Sequence, residues 1–82
     1  MKLLKQNQIG KLIKDSQEKL EENMIAIYNR KELSDVLQIP NNEELIIMAF
    51  EQLRKSKLMS WYKLYIIYNE KDNNFIVVPY LF

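Results

Sequence analysis

Two helix-start signatures follow one another so closely that they dictate the middle of this chain. In Asn29-Arg30-Lys31-Glu32-Leu33, Asn29 suits a helix cap and Glu32, three residues on, can reach back to the cap N–H. Tyr28 before the cap and Leu33 in the first turn complete a hydrophobic staple. The same grammar recurs in Pro40-Asn41-Asn42-Glu43-Glu44-Leu45, with Asn41 as cap, Glu44 as its partner and Pro40/Leu45 as a weaker staple. Between them fits one short helix ending near Gln38, with Leu33, Val36 and Leu37 as its apolar face. The chain must then turn tightly into a longer helix, expected over 42–57. Glu43 and Glu44 complement the positive end of its dipole, and Arg54, Lys55 and Lys57 the negative end. Leu45, Ile46, Ala49, Phe50 and Leu53 form its inner stripe.

On the N-terminal side, Ile9, Leu12, Ile13 and Leu20 recur at helical spacing across residues 2–22, with Ser16 filling the gap in the stripe. Lys2, Lys5, Lys11 and Lys14 precede Asp15, Glu18, Glu21 and Glu22, an order that opposes the helix dipole, so another contact is needed to stabilise this helix. Gly10 costs about 1 kcal/mol against Ala in mid-helix, and a late start or a bend is expected there. Met24 to Tyr28 is short, apolar and partly β-branched, and reads as a strand.

On the C-terminal side, Trp61 to Tyr68 and Phe75 to Phe82 are aromatic and β-branched runs flanking the polar turn Asn69 to Asn74. This is a hairpin over 61–82. Alternation places Tyr62 and Tyr68 on one face and Tyr65 on the other, so both faces carry bulk and one is left for solvent or a partner. Pro79 cannot donate to a ladder and should face an edge or a bulge. Phe75-Ile76-Val77-Val78 has no charged gatekeeper, which opens the way to edge pairing between two copies.

The resulting order is helix, short strand, helix, helix, β-hairpin: a small α+β fold in a single domain of 82 residues, with an N-terminal helix over 1–23. Residues 24–82 resemble the winged helix-turn-helix domain. The likeness is carried by Ile27 to Pro40, by Ala49 to Leu58, and by the hairpin that follows. Lys57 stands before Leu58 where many family members carry a helix-ending glycine. The resemblance implies a DNA-reading face at Asn41, Asn42, Glu43, Glu44, Ile47 and Met48. Two acids and two large apolar side chains suit a phosphate-lined groove poorly.

Composition narrows the function. The chain has no His and no Cys, which removes imidazole base catalysis, thiol chemistry, disulfides and the usual zinc ligand sets. One glycine excludes a glycine-rich phosphate loop. The adjacent carboxylates Glu21/Glu22 and Glu43/Glu44 diverge by about 100° on a helix and form no catalytic dyad. Neither an enzyme nor a cofactor is expected, and no small-molecule substrate. The apolar runs are too short to span a bilayer and no signal peptide is read, so no membrane association is expected and the cytoplasm is the default compartment. Ten Ile, ten Lys and eight Asn against two Ala and two Arg reflect an AT-rich origin, of the kind common in phages and mobile elements.

Apolar residues make up 48% of the chain, more than a domain this small hides easily. On the longer helix, Glu44, Ile47, Met48, Glu51 and Lys55 point away from the inner stripe. Either the N-terminal helix or the segment before it covers Ile47 and Met48, or the pair is the apolar centre of a protein-binding surface or dimer interface. Arg54, Lys55, Lys57 and Lys63, interleaved with Trp61, Tyr62 and Tyr65, offer a nucleic-acid surface, or else a solvated helix end above core aromatics; Lys2 and Lys5 could extend it. Twelve basic against eleven acidic residues do not favour the nucleic-acid reading. The expected function is therefore a non-enzymatic protein-binding module, a phage or mobile-element regulator or an inhibitor of a host factor, with a protein partner or self-association as a homodimer. The alternative is a DNA-binding winged-helix transcriptional regulator acting as a dimer.

Overall fold

The computed structural model describes residues 3–80. Helix α1 (Gln6–Asn23) leads through strand β1 (Ala26–Tyr28) to α2 (Arg30–Leu37), α3 (Glu43–Arg54), a fourth helix α4 (Lys57–Trp61), and strands β2 (Leu64–Asn69) and β3 (Asn74–Pro79). This is an α+β fold whose antiparallel sheet has the order β1-β3-β2.

The first helix begins later than its apolar spacing implies, and Gly10 lies inside it. Gln8 Oε1 accepts from the Lys5 N–H at 2.7 Å, closing the reach-back half of a capping box; a Lys ammonium accepts nothing, so the other half is missing. Contacts from elsewhere offset the unfavourable charge order. The Tyr28 hydroxyl donates to Asp15 Oδ2 at 2.6 Å, and Lys19 Nζ stands 3.8 Å from the centre of the Tyr28 ring. Gln8 Nε2 donates to the Leu37 carbonyl, tying α1 to the end of α2. Ser16, fully buried, donates back to the Leu12 carbonyl at 2.6 Å, so the polar gap in the stripe is satisfied.

The expected reciprocal cap on α2 is present: Asn29 Oδ1 accepts from the Glu32 N–H at 2.8 Å and Glu32 Oε1 from the Asn29 N–H at 2.9 Å. The next cap is displaced by one residue. Asn42, not Asn41, receives the Leu45 N–H, and Asn41 Oδ1 instead accepts from Arg30 Nε at 3.0 Å. No Glu44 reach-back forms. The third helix also ends early, at Arg54 rather than 57, because Ser56 Oγ accepts from the Met59 N–H and starts α4. The break turns Met59 into the core, where it is buried.

The hairpin is shorter than its sequence run. Trp61 ends α4 at 82% exposure and Tyr62 lies outside the strand, so Tyr62 does not share a strand face with Tyr68. Tyr68 packs on the helix side against Phe75 and Phe50, ring centroids 5.0 and 6.4 Å away, while Tyr65 is on the opposite face. Phe82 lies outside the described residues. Strand β3 is central, paired on both sides through Phe75 to Val77, so its ungated run is not an edge. Pro79 pairs with Leu64 beyond the last β1 partner, Ala26 opposite Val77, where its missing N–H costs no ladder bond.

One core fills the space between sheet and helices. Leu64, Ile66, Phe75 and Val77 from the sheet meet Leu12, Ile13, Leu33, Leu37, Ile46, Ala49 and Leu53 from the helices. Leu4, upstream of α1, joins the same core.

Candidate functional site

The outward face of α3 is accessible. Ile47 and Met48 are 53% and 43% exposed, although the inner positions Ile46 and Ala49 on either side of them are buried. They form one wall of a groove of about 970 Å³. The segment Leu3 to Gln6, bonded to α3 through Gln52, forms the other wall, and Ser56, Lys57 and Leu58 also line the groove.

Gln52 fixes the distance between those walls. Its Oε1 accepts from the Leu4 N–H and its Nε2 donates to the Leu4 carbonyl, both at 2.8 Å. The side-chain amide thus occupies the backbone of an extended segment as a neighbouring strand would, while the Leu4 side chain enters the core. The N-terminal segment therefore lies beside Ile47 and Met48 without hiding them.

The rim is mostly cationic. Lys5, Lys55 and Lys57 line the groove with one acid, Glu51. Glu51 Oε1 already receives Arg54 Nη1 at 3.2 Å, so its charge is partly offset from outside the groove. Of the five residues expected on the protein-binding face, Ile47, Met48, Glu51 and Lys55 line the groove, and Glu44 is exposed outside it. Gln52, Leu3 and Leu4 complete the site and had no signal in the local spacing, whereas Lys5, a candidate extension of the basic set, lines the same groove.

The alternative nucleic-acid set is divided. Lys55 and Lys57 line the groove, whereas Arg54 turns toward Glu51 and lies over the Phe50 ring, bordering a separate depression with Tyr65, Ile67 and Tyr80. Lys63 stands at the base of the hairpin, its carbonyl accepting from the Tyr80 N–H. Lys2 lies outside the described residues. Trp61 and Tyr62 are exposed rather than core, so the reading in which they sit in the core does not hold.

Among the described residues no group of three His, Cys, Asp or Glu is placed to hold a metal ion, and no helix is long and apolar enough to cross a membrane. The strongest perturbation of a titratable group is structural: burial first, then the bond to Asp15, push the Tyr28 phenol well above its ordinary range. It lies on α1 and β1, away from the groove lining.

In comparisons with known proteins, no family model, no curated protein and no solved structure matches this chain.

Proposed function

We propose that this chain is a small non-enzymatic protein-binding module whose groove takes an apolar, acid-flanked segment of a partner protein. The observation that carries the reading is the half-exposed pair Ile47 and Met48 sharing one groove with Leu3, Lys5, Lys55 and Lys57. An apolar floor with a charged rim is the anatomy of a recognition surface, in which the floor supplies affinity and the rim selects the partner. Completing the burial of Ile47 and Met48 is worth about 1 kcal/mol for each side chain. An amphipathic helix laid into such a groove would present its apolar stripe to that pair and carboxylates to the three lysines.

The finer parts of the reading are inferences from composition and topology. The order of the helices, with β1 joining the hairpin, supports the winged-helix resemblance; α4 between the third helix and the hairpin is a departure from it. Small size, AT-biased composition and a sequence without His or Cys favour a regulator or an inhibitor of a host factor, from a phage or mobile element, working in the cytoplasm. The alternative, a dimeric DNA-binding regulator, draws on Lys5, Lys55 and Lys57 in one groove, but Glu43 and Glu44 occupy the start of α3, which would face phosphates.

The test is binding of an acidic amphipathic helical peptide, compared with its charge-reversed counterpart and with mixed-sequence duplex DNA. The wild-type chain should prefer the acidic peptide over the basic one by at least tenfold. The folded double variant Ile47→Asp, Met48→Asp should lose that binding. Retained binding, or a stronger, steeply salt-dependent affinity for DNA, would sink the protein-binding reading. Unfolding of the double variant would assign the pair to the core.

A further inference from the structure

The sheet is apolar on both faces. The helices cover one: Leu64, Ile66, Phe75 and Val77 point into the core. The other carries Ile27, Ile76 and Ile67 in one cross-strand row, and Tyr65 beside Val78 in the next. Tyr80 continues this face, its ring 5.0 Å from that of Tyr65. Ile27, Ile67 and Tyr65 are exposed, while Ile76 and Val78 on the central strand are shielded by these neighbours. No charged side chain falls within the two rows. Polar groups border them instead: Asn69 and Asn74 pair at the turn end, Lys63 stands at the base, and Arg54 borders the β2 side.

We propose that this outer sheet face is a homodimer interface, and that its occupant is the same face of a second copy. This does not rest on the groove reading, since the residues belong to different elements. Three observations select a second copy. A charge-free face is complementary to itself under a two-fold axis, which places Ile and Tyr against Ile and Tyr with no like-charge contact. The net charge of +1 leaves little repulsion between whole copies. The area also fits: β2 and β3, each about 20 Å long, and the three-residue β1, about half that, spaced about 4.8 Å apart, give roughly 240 Å² per copy before side-chain relief. With side-chain relief and the adjoining Tyr80, two copies approach about 1,000 Å² in total, the lower limit for a specific interface. The sheets would stack about 10 Å apart, and an interface at this low end of the size range belongs with weak, transient pairs.

The deciding experiment is sedimentation of the full chain from about 1 to 500 µM, a range spanning a micromolar dissociation constant. The wild type should pass from the mass of one 9.9 kDa chain to twice that mass. Ile67→Lys and Ile27→Lys, their folds checked by circular dichroism, should remain monomeric throughout, because each would place a charge opposite apolar side chains. Ile47→Asp, on the groove, should dimerise like the wild type. Methyl spectra of the wild type provide a reading that needs no variant: concentration should move the Ile27, Ile67 and Ile76 signals and leave Ile47 in place. A wild type that stays monomeric, a dimer that survives both lysine substitutions, or shifts centred on Ile47 would overturn the proposal.

Discussion

Gln52 holds both backbone polar groups of Leu4, accepting from its N–H and donating to its carbonyl at 2.8 Å, across 48 residues of sequence. This pair builds the groove, because it fastens the backbone of the segment against α3, beside the second anchor that the buried Leu4 side chain provides. Gln52→Ala should release Leu3 to Lys5, and trypsin cleavage after Lys5 should accelerate relative to the wild type. The thermal midpoint should fall by the equivalent of about 1–2 kcal/mol, part of the lost bonding being recovered from water. Gln52→Glu should be no better, since a carboxylate accepts from the Leu4 N–H but repels its carbonyl. An unchanged cleavage rate in both variants would mean that the Leu4 side chain alone anchors the segment.

The Tyr28 phenol, raised by burial and by its bond to Asp15, links folding to alkaline pH. The folded state holds this proton above the pH at which the unfolded chain releases it. The stabilisation is therefore complete below about pH 10 and is lost as pH rises beyond that point. Tyr28→Phe should cost about 1 kcal/mol at pH 8 and narrow in cost toward pH 11, measured by urea unfolding at both values. The comparison isolates Tyr28, because every other ionisable side chain is common to both proteins.

How far the sequence carried the fold depended on how local each decision was. The Asn29–Glu32 cap spans four residues and was readable outright. Asn41 and Asn42 offered the same side chain in consecutive positions, with Glu43 and Glu44 following, and the one that does not cap is engaged by Arg30, a residue of another helix. The break after Arg54 was hidden because Lys57 to Trp61 continue as a helix; Ser56 as a cap was the available signal, and burial of Met59 is the reason it acts. The outer wall of the groove was invisible for a plainer cause: no spacing pattern relates Leu4 to Gln52. The central place of β3 is likewise a tertiary outcome, since strand order is not encoded in a hairpin's own residues.

Gly10 sits within α1, and a methyl group added there would meet no atom within 4 Å. Its helical conformation requires no glycine, so the residue adds unfolded-state freedom without a packing return. Gly10→Ala should stabilise the fold by about 0.5–1 kcal/mol, raising the thermal midpoint by about 2–8 °C. A destabilised variant would show that α1 needs the glycine for a bend or for a partner that comes close.

Met24 ends α1 in the left-handed conformation, with φ of 62°, donating its N–H to the Leu20 carbonyl. That position favours glycine, because a Cβ crowds the following carbonyl there. Nothing in the side chain compensates, as it is 87% exposed. Met24→Gly should relieve about 1–2 kcal/mol of left-handed strain against about 0.5–1 kcal/mol of added chain entropy, a net gain of about 0.5–1 kcal/mol. Gln38, at the end of α2 with φ of 58°, provides the contrast. Its side chain accepts from Lys11 Nζ at 2.7 Å, so Gln38→Gly loses a tie between helices and should gain less. Unfolding both variants in urea should rank Met24→Gly above Gln38→Gly; the reverse order would mean that the Lys11 contact contributes nothing and that the exposed Met24 side chain stabilises the fold.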